Sequence, residues 1–327
     1  MTPAVPDRAA LVAAARDTIR RGSKSFAAAS TLFDRITRER VWLLYAWCRA
    51  CDDIVDAQDM GGALGDQSGA AERLALVRDL TARAMAGEAT GNRAFDALGL
   101  VARETGLTMA MAEAVIDGFA LDAADWQPRT EADLMRYCWH VAGAVGVMMA
   151  VVMGVSPDDD DTLDRAADLG LAFQLANIAR DLAEDDAAGR CYLPAEWLAE
   201  VDLPPPGEQL KPQYRATLAI LAQRMCAMAQ AHECSARIGA GRLQPRQRWA
   251  ILAAAGIYGD IARKVAARGD RAWHSRTVVS GKAKLAWIFR AGWQALRPVP
   301  PTCRERALAR RHSRQSLIAL AQARPWG

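Results

Sequence analysis

The sequence predicts an all-α protein, and three observations support that fold class. Alanine and leucine are abundant, hydrophobic residues make up 51% of the 327 positions, and runs of alternating β-branched residues are absent. Apolar residues recur at the three- and four-residue spacing of a helix along most of the chain. Clusters of glycine and proline separate these segments, as expected for breaks between helices.

The predicted helices follow one another with glycine- or proline-rich breaks between them, such as 61–65 and 204–206. No repeat of fixed period appears, which disfavours a solenoid. We therefore expect one all-α domain over residues 1–297, followed by a basic tail at residues 298–327. The predicted helices are Asp7–Arg21, Asp34–Gln58, Ala71–Ala86, Asn92–Thr105, Ala110–Ala123, Glu131–Met153, Thr162–Asp185, Gln213–Ile238, Pro245–Ala267, Gly281–Leu296 and a last short helix within Arg304–Ala323.

The chain shows no sign of secretion or of a membrane span. Its start, MTPAVPDRAA, lacks the apolar stretch of a secretion signal. The longest apolar run, Val141 to Val155, is shorter than the ~20 residues of a bilayer-spanning helix and contains three glycines, which indicates a buried helix. We expect a cytoplasmic protein, in which an odd count of seven cysteines argues against a disulfide framework.

Cys48 and Cys51 form a CxxC pair inside a long predicted helix. A thioredoxin-type motif would follow a strand and open a helix. A zinc site would need a second CxxC or a histidine pair, and the sequence contains neither. We interpret the two cysteines as packing residues.

The net charge of +3 is unevenly distributed along the chain. Residues 261–327 contain 15 lysines and arginines against two acidic residues, Asp270 and Glu305, so the rest of the chain is acidic. A basic C-terminal region favours an anionic partner, such as a phosphate-bearing substrate, an anionic lipid or a nucleic acid. We expect the stretch Arg304–Arg314 itself to be a solvated basic helix or partly disordered.

The helix predicted over Asp34–Gln58 carries a polar stripe in apolar surroundings. Its members are spaced by four, three and four residues and share one face: Tyr45, Arg49, Asp52 and Asp56. A helix that is apolar nearly all round belongs in a protein interior, so this face should line an internal cavity. A buried ion pair with Arg49 is the simpler explanation, but it leaves at least one carboxylate unpaired, which is costly after desolvation.

A second polar stripe lies on the helix predicted over Thr162–Asp185. It consists of Gln174, Asn177, Asp181 and Asp185, with Arg180 beside it. Like charges four residues apart repel each other on a helix, and a divalent cation is the simplest compensation. Carboxylate and amide oxygens suit Mg²⁺ or Mn²⁺. By contrast, the run Asp158–Asp161 is interpreted as capping a helix N-terminus.

Two such stripes in a large helical protein suggest a diphosphate held between divalent metal ions. The ions would neutralise a diphosphate leaving group, so that its C–O bond could ionise to a carbocation. Dry apolar walls would keep water away from the cation, and aromatic faces would stabilise it. The helix predicted over Glu131–Met153 offers such wall residues, including Tyr137, although ordinary core packing is the simpler account of each one.

Four stretches of the chain resemble the squalene/phytoene synthases. They are GSKSF at 22–26, YAWCR at 45–49, YCWHVAG at 137–143 and the long signature LGLAFQLANIARDLAEDDAAGRCYLP at 169–194. The similarity covers roughly residues 10–295, and the bacterial phytoene synthases of carotenoid pathways are the members it resembles most.

The resemblance implies an isoprenoid-synthase fold, an all-α bundle around a central cavity. It implies a Mg²⁺-dependent prenyltransferase that condenses two geranylgeranyl diphosphates head to head. The product is phytoene, formed through prephytoene diphosphate in the first committed step of carotenoid biosynthesis, with no NADPH expected. Because the substrate carries a long apolar chain and the product is a hydrocarbon, the enzyme would work at a membrane surface, where its basic C-terminal region could contact anionic lipid.

The same resemblance implies roles for individual residues. The expected metal ligands are Asp52, Asp56, Asn177, Asp181 and Asp185. Expected to hold diphosphates or to orient the ligands are Ser23, Lys24, Ser25, Tyr45, Arg49, Gln174 and Arg180, with weaker matches at Tyr258, Arg276, Lys282 and Lys284. Tyr45, Arg49 and the four aspartates form the expected catalytic group, and Phe26 and Tyr137 would line the cavity.

Three alternatives remain open. A squalene or dehydrosqualene synthase would use farnesyl diphosphate, and the chain-length preference depends on the depth of the cavity. A non-catalytic family relative would be expected to lose metal ligands, whereas both stripes are intact here. A nucleic-acid-binding protein would use the basic C-terminal region but leaves the acidic stripes unexplained, so we expect no nucleic-acid partner.

Overall fold

The structure, a computed structural model, describes residues 7–60, 65–66, 68–123, 126–204 and 207–323. No β-strand occurs within these ranges, so the all-α prediction is confirmed. The predicted breaks at 61–64 and 205–206 lie outside the described residues. The helices are α1 Arg8–Gly22, α2 Lys24–Ser30, α3 Arg35–Val55, α4 Ala70–Met85, α5 Arg93–Thr105, α6 Met109–Ala123, α7 Glu131–Cys138, α8 Ala144–Val152, α9 Asp160–Ala187, α10 Ala195–Glu200, α11 Arg215–Gly239, α12 Pro245–Arg268, α13 Gly281–Ala295, α14 Pro301–Ala307 and α15 Arg314–Ala323.

Side-chain caps determine where several helices begin. Asp34 accepts a hydrogen bond from the backbone N–H of Thr37 at the start of α3, and the capping box of Thr130 and Asp133 opens α7. Asp159 accepts from the backbone N–H of Thr162 at 3.1 Å, so a member of the run Asp158–Asp161 does cap a helix. The sequence does not predict the short helices α2 and α10, because seven and six residues are too few to show a helical spacing of apolar residues.

The chain forms two compact units. The first comprises Met1–Ala124 and Val147–Leu163, and in it α3 packs against α1, α4 and α5. Trp47 of α3 is fully buried there and donates its indole N–H to the Thr81 hydroxyl at 3.2 Å. The second unit comprises Asp125–Gly146 and Asp164–Gly327, and in it α12 packs against both α11 and α13.

Glycines allow two backbones to touch in the second unit. A Cβ on Gly170 of α9 would lie 2.1 Å from the carbonyl oxygen of Ala142, and a Cβ on Gly146 would lie 2.4 Å from that of Ala166. Ala142 belongs to a five-residue π-helical turn between α7 and α8. Gly146 of the apolar run and Gly170 of α9 therefore serve a close helix crossing.

The segment Glu131–Val152, from α7 through α8, is long and apolar enough for a membrane span by length and composition alone. Of its most apolar window, 72% is buried inside the protein. The prediction of a buried helix is therefore confirmed, since a core helix passes the same length and composition test.

The basic C-terminal stretch is packed against the protein on one side and exposed on the other. Cys303 and Ala307 of α14 are buried against α11. Arg310 reaches the carboxylates of Asp164 and Asp168 at 2.7 and 2.6 Å. The expectation of a solvated basic helix is therefore met at Arg304, Arg306 and Arg311, which are exposed, whereas Arg310 is half-buried and paired with acidic residues far away in the sequence.

Replacing Gly170 with alanine should destabilise the protein by about 1–3 kcal/mol, because the new methyl group would force two backbones apart. Chemical unfolding followed by circular dichroism measures the change in the free energy of unfolding. Gly281→Ala is the matched control, since nothing lies within 4 Å of a Cβ at that position. Equal stability of the two variants would contradict the close crossing.

Candidate functional site

The first polar stripe lies at the C-terminal end of α3. The helix ends at Val55 with Asp56 as its C-cap, three residues before the predicted end at Gln58. Arg49 donates a hydrogen bond to Asp52 at 2.5 Å. The side-chain amide of Gln58 lies 3.3 Å from Asp52 Oδ2 and 3.4 Å from Asp56 Oδ2. The structure thus brings the predicted residues together and adds Gln58, which helical periodicity could not reveal because it lies beyond the helix.

This end of α3 is strongly electronegative. Asp52, Asp53 and Asp56 lie at the helix C-terminus, where the aligned carbonyl dipoles already disfavour negative charge. Burial raises the pKa of Asp52 to about 6. The Arg49 guanidinium opposes that rise, and the carboxylates of Asp56 and Asp53 add to it. A bound cation would offset the repulsion among these carboxylates and their repulsion by the helix dipole, so this end of the helix favours cation binding.

Tyr45 and the GSKSF stretch pack against each other. The Tyr45 hydroxyl is buried beside the Arg49 guanidinium, and among the described residues no side chain or backbone group makes a well-formed hydrogen bond to it. A Cβ on Gly22 would lie 2.4 Å from that hydroxyl oxygen, so a glycine is required beside it. The ring of Phe26 meets the Tyr45 ring edge-on, with the two centroids 5.6 Å apart. Phe26 and Tyr45 are therefore neighbours. The family resemblance predicts that both contribute to the substrate site.

The other three residues of this stretch open α2. The Ser23 hydroxyl caps the helix by accepting a hydrogen bond from the backbone N–H of Phe26 at 3.3 Å. Lys24 and Ser25 are the first two residues of the helix, and their side chains lie outside the described part of the structure. Ser23 thus has a structural role in addition to the expected diphosphate contact.

The CxxC cysteines are free thiols, of which Cys51 is buried and Cys48 is half-buried. Burial raises the pKa of Cys48 to about 12 and that of Cys51 well above its usual value. Both side chains therefore stay protonated near neutral pH, and thiols in that state are poor nucleophiles and metal ligands. This agrees with the interpretation of the pair as packing residues.

Arginines hold the second polar stripe, on α9. Asp181 accepts from Arg180 Nε at 2.7 Å and is also bonded by Arg180 Nη2. The guanidinium of Arg276 donates to the same carboxylate at 3.1 and 3.2 Å. Burial disfavours the charge on Arg180, but the bonds and the charge of Asp181 outweigh it and raise the pKa of that guanidinium above its usual value. The structure thus brings Arg276, a weak match in the sequence, to the stripe.

The side-chain oxygen of Asn177, in the middle of this stripe, is an unsatisfied hydrogen-bond acceptor among the described residues. This oxygen is buried, and within the part of the chain that the structure describes no hydrogen-bond donor meets it. An unsatisfied buried acceptor costs about 1–3 kcal/mol, so proteins seldom retain one without a reason. An amide oxygen near carboxylates is a suitable donor for a hard divalent cation. The donor set of this stripe therefore fits Mg²⁺ or a similar ion.

Neither stripe makes a metal site from acidic residues alone. Within the described ranges of the chain, no group of three or more His, Cys, Asp or Glu side chains is arranged to hold a metal ion. Mg²⁺ commonly keeps several waters and binds one or two carboxylates together with substrate phosphates. The stripes suit this second mode, in which a diphosphate completes the coordination.

Aromatic side chains gather near the second stripe. Tyr137 is buried and stacks on both Trp126 and Tyr192, with centroids 5.7 and 4.8 Å apart. Tyr258 stacks on Phe173 at 4.1 Å. Phe173 and Tyr192 both lie within the long signature at 169–194, which is the signal that could have identified them. Trp126 carries no such signal.

The remaining predicted residues are distributed over the second unit. Gln174 and Asp185 are half-buried on α9, one turn before Asn177 and one turn after Asp181 respectively. Lys282 and Lys284 lie in the first turn of α13, the former exposed and the latter half-buried. Each compact unit thus carries one polar stripe with its own arginine.

A comparison with known families identifies the protein's relatives. Residues 19–283 match the family described as squalene/phytoene synthase. The chain belongs to this family. The match includes both polar stripes, the GSKSF stretch and the aromatic side chains described above.

Bacterial family members are similar to the chain over most of its length. A phytoene synthase from Pseudescherichia vulneris is 46% identical over 285 residues, which are 86% of this chain and 91% of the relative. A 15-cis-phytoene synthase from Enterobacter agglomerans is 46% identical over 278 residues, covering 84% and 92% of the two chains.

Solved family structures share the fold. A dehydrosqualene synthase crystallised with a ligand superposes with a TM-score of 0.74 at 25% identity, covering 87% of this chain and 96% of the other. A squalene synthase from Alicyclobacillus acidocaldarius superposes with a TM-score of 0.67 at 25% identity, covering 80% and 94%. The expected isoprenoid-synthase fold is therefore confirmed.

We predict that Asn177→Leu separates stability from metal binding. Since the amide oxygen makes no hydrogen bond, an apolar side chain of similar size should leave the metal-free protein as stable as the parent or more stable. The variant should lose the thermal stabilisation that Mg²⁺ with inorganic diphosphate gives the parent protein.

The control for this prediction is Thr81→Val, which removes a buried hydroxyl that does have a partner, Trp47. It should lower the unfolding midpoint and keep the response to Mg²⁺ and diphosphate. A marked loss of stability in Asn177→Leu without metal would instead assign the asparagine a structural role.

Proposed function

We propose that the protein is a phytoene synthase, a prenyltransferase that condenses two molecules of geranylgeranyl diphosphate head to head. The observation that supports this most strongly is the 41–46% identity to proteins named phytoene synthase over most of both chains. Both polar stripes are intact, which argues against a non-catalytic relative. The catalytic machinery is assigned to residues 1–297.

The reaction has two ionisations. Loss of diphosphate from one substrate molecule gives an allylic cation, which the double bond of the second molecule captures. Loss of a proton then gives the cyclopropyl compound prephytoene diphosphate. Loss of the second diphosphate, rearrangement and loss of another proton give phytoene. Each ionisation needs positive charge at the leaving group and a dry environment for the cation.

The chain supplies ligands for the positive charge. Family members use prenyl diphosphates and generally a divalent metal ion. We assign Mg²⁺, or Mn²⁺ in its place, to Asp52 and Asp56 on α3 and to Asn177, Asp181 and Asp185 on α9. When bound, the ions would neutralise the departing diphosphate.

The arginines supply a second set of charges. Arg49, Arg180 and Arg276 are bonded to aspartates of the stripes. Once cations neutralise those carboxylates, the guanidinium groups can turn to diphosphate oxygens, which they match in a two-pronged geometry. Lys24, Ser25 and Gln174 are further candidates for diphosphate contact. The rings of Phe26, Tyr137 and Tyr258 would shield the cation from water.

The enzyme is proposed to act in the cytoplasm at the inner membrane surface. Its substrate carries a long apolar chain and its product is a hydrocarbon, so both partition into lipid. Neither NADPH nor a nucleic acid has a part in this proposal.

The products formed from defined substrates test the proposal. Purified protein with Mg²⁺ and geranylgeranyl diphosphate, without NADPH, should release a C40 hydrocarbon and diphosphate, identified by chromatography and mass spectrometry. Farnesyl diphosphate, with or without NADPH, is the comparison substrate. A C30 hydrocarbon as the main product would assign the chain to the squalene and dehydrosqualene synthases instead.

Asp52→Asn and Asp181→Asn should each lower turnover by at least about a hundredfold, because each removes a negatively charged ligand while keeping the shape of the side chain. Circular dichroism should show the fold intact. Asp158→Asn is the matched control, since it changes an exposed aspartate outside both stripes. Near-normal turnover in either stripe variant would refute the metal assignment.

A further inference from the structure

Helix α13 packs on α12 in a fixed orientation. A Cβ on Gly256 of α12 would lie 2.3 Å from the Trp287 ring, so this ring lies directly on the α12 backbone. The Trp249 ring lies against Gly292 and donates its indole N–H to the carbonyl of Ile288 at 2.8 Å. These contacts determine which face of α13 is turned inward.

The opposite face of α13 exposes a row of large apolar side chains. They follow one another at intervals of four, four and three residues, which places them in one stripe. Soluble proteins rarely expose a continuous apolar row without a partner. Its members are Leu285, Phe289, Trp293 and Leu296, which are 54%, 70%, 59% and 83% exposed.

Basic side chains accompany this row. Residues 281–297 contain four lysines and arginines and no acidic residue. Lys282, Arg290 and Arg297 are exposed. The guanidinium of Arg297 lies 4.0 Å from the Trp293 ring centroid, so charge and aromatic surface meet at one place. A surface of this kind suits a partner that is apolar inside and anionic at its edge.

We propose that this face of α13 docks the protein on an anionic phospholipid bilayer. The four apolar side chains enter the boundary between headgroups and acyl chains, while the three cations contact lipid phosphates. The proposal rests on the proposed function in one respect, because a lipid-soluble product gives the enzyme a reason to stay at a membrane. Apart from Lys282, which the family resemblance also offers as a diphosphate contact, the residues of this surface have no part in the proposed reaction.

A second copy of the chain fits this face less well. A stable protein interface buries about 800 Å² on each partner, with roughly 20–30 residues a side, whereas this row comprises four side chains. Self-association would also bring the cations of both copies together without an acidic residue in 281–297 to pair with them. An anionic bilayer offers an apolar interior for the exposed side chains and negatively charged headgroups for the cations.

Co-sedimentation of the full-length protein with vesicles tests the proposal. The parent should bind vesicles of phosphatidylglycerol mixed with phosphatidylcholine and bind pure phosphatidylcholine much less. Phe289→Ser/Trp293→Ser should weaken binding to the mixed vesicles by at least about tenfold, because two apolar anchors are lost. Lys282→Gln/Arg290→Gln/Arg297→Gln should weaken it by about fivefold per residue and abolish the preference for the anionic lipid.

The matched control is Ile36→Ser/Ile220→Ser, which removes two comparably exposed apolar side chains elsewhere. It should bind vesicles like the parent, and all variants should show unchanged circular dichroism and unfolding midpoints. Should Phe289→Ser/Trp293→Ser fold poorly, Leu285→Ser/Leu296→Ser takes its place.

Two results would overturn the proposal. One is equal binding of the parent and the α13 variants to mixed vesicles. The other is a parent dimer in sedimentation that the apolar substitutions dissociate without weakening vesicle binding, which would assign the face to a second copy. Vesicle binding needs no substrate, so a protein that binds lipid but makes no phytoene would refute the proposed function and leave this inference standing.

Discussion

A carboxylate withdrawn from water must be met by positive charge or by hydrogen-bond donors, and the two polar stripes show how this chain meets that requirement. Asp52 is held by Arg49 and Gln58, and Asp181 by Arg180 and Arg276. At Asp52 the Arg49 guanidinium opposes the rise in pKa that burial causes. The arginine partners also keep guanidinium groups beside the carboxylates that we propose as metal ligands, so the ion pairs and the proposed site share the same residues.

The close helix crossing in the second unit holds in place the helix that carries the second stripe. Gly170 lies seven residues before Asn177 on the same helix, and its missing side chain lets α9 touch the backbone at Ala142. A helix pressed against another backbone has little freedom to shift, so the proposed ligands further along α9 are held in position. The Asn177 oxygen remains unsatisfied among the described residues, as expected where binding is favoured over stability.

The basic C-terminal region divides into parts with different tasks. Arg310 forms ion pairs with the buried Asp168 and the half-buried Asp164. Arg276 belongs to the second stripe. The cations of α13 face solvent beside exposed apolar side chains. Charge counted along the sequence could not separate these parts, since each depends on what lies opposite the residue in space.

The sequence by itself determined the all-α fold, most helices and the membership of both stripes. Helical spacing places residues three and four apart on one face wherever the helix lies, so Asp52, Asp56, Asp181 and Asp185 could be grouped from periodicity alone. Only the tertiary structure shows contacts between residues that helical spacing does not relate. The contacts of Gln58, of Arg276 with Asp181, and of Trp126 with Tyr137 arise from chain reversals and long-range packing, which leave no regular pattern in the sequence.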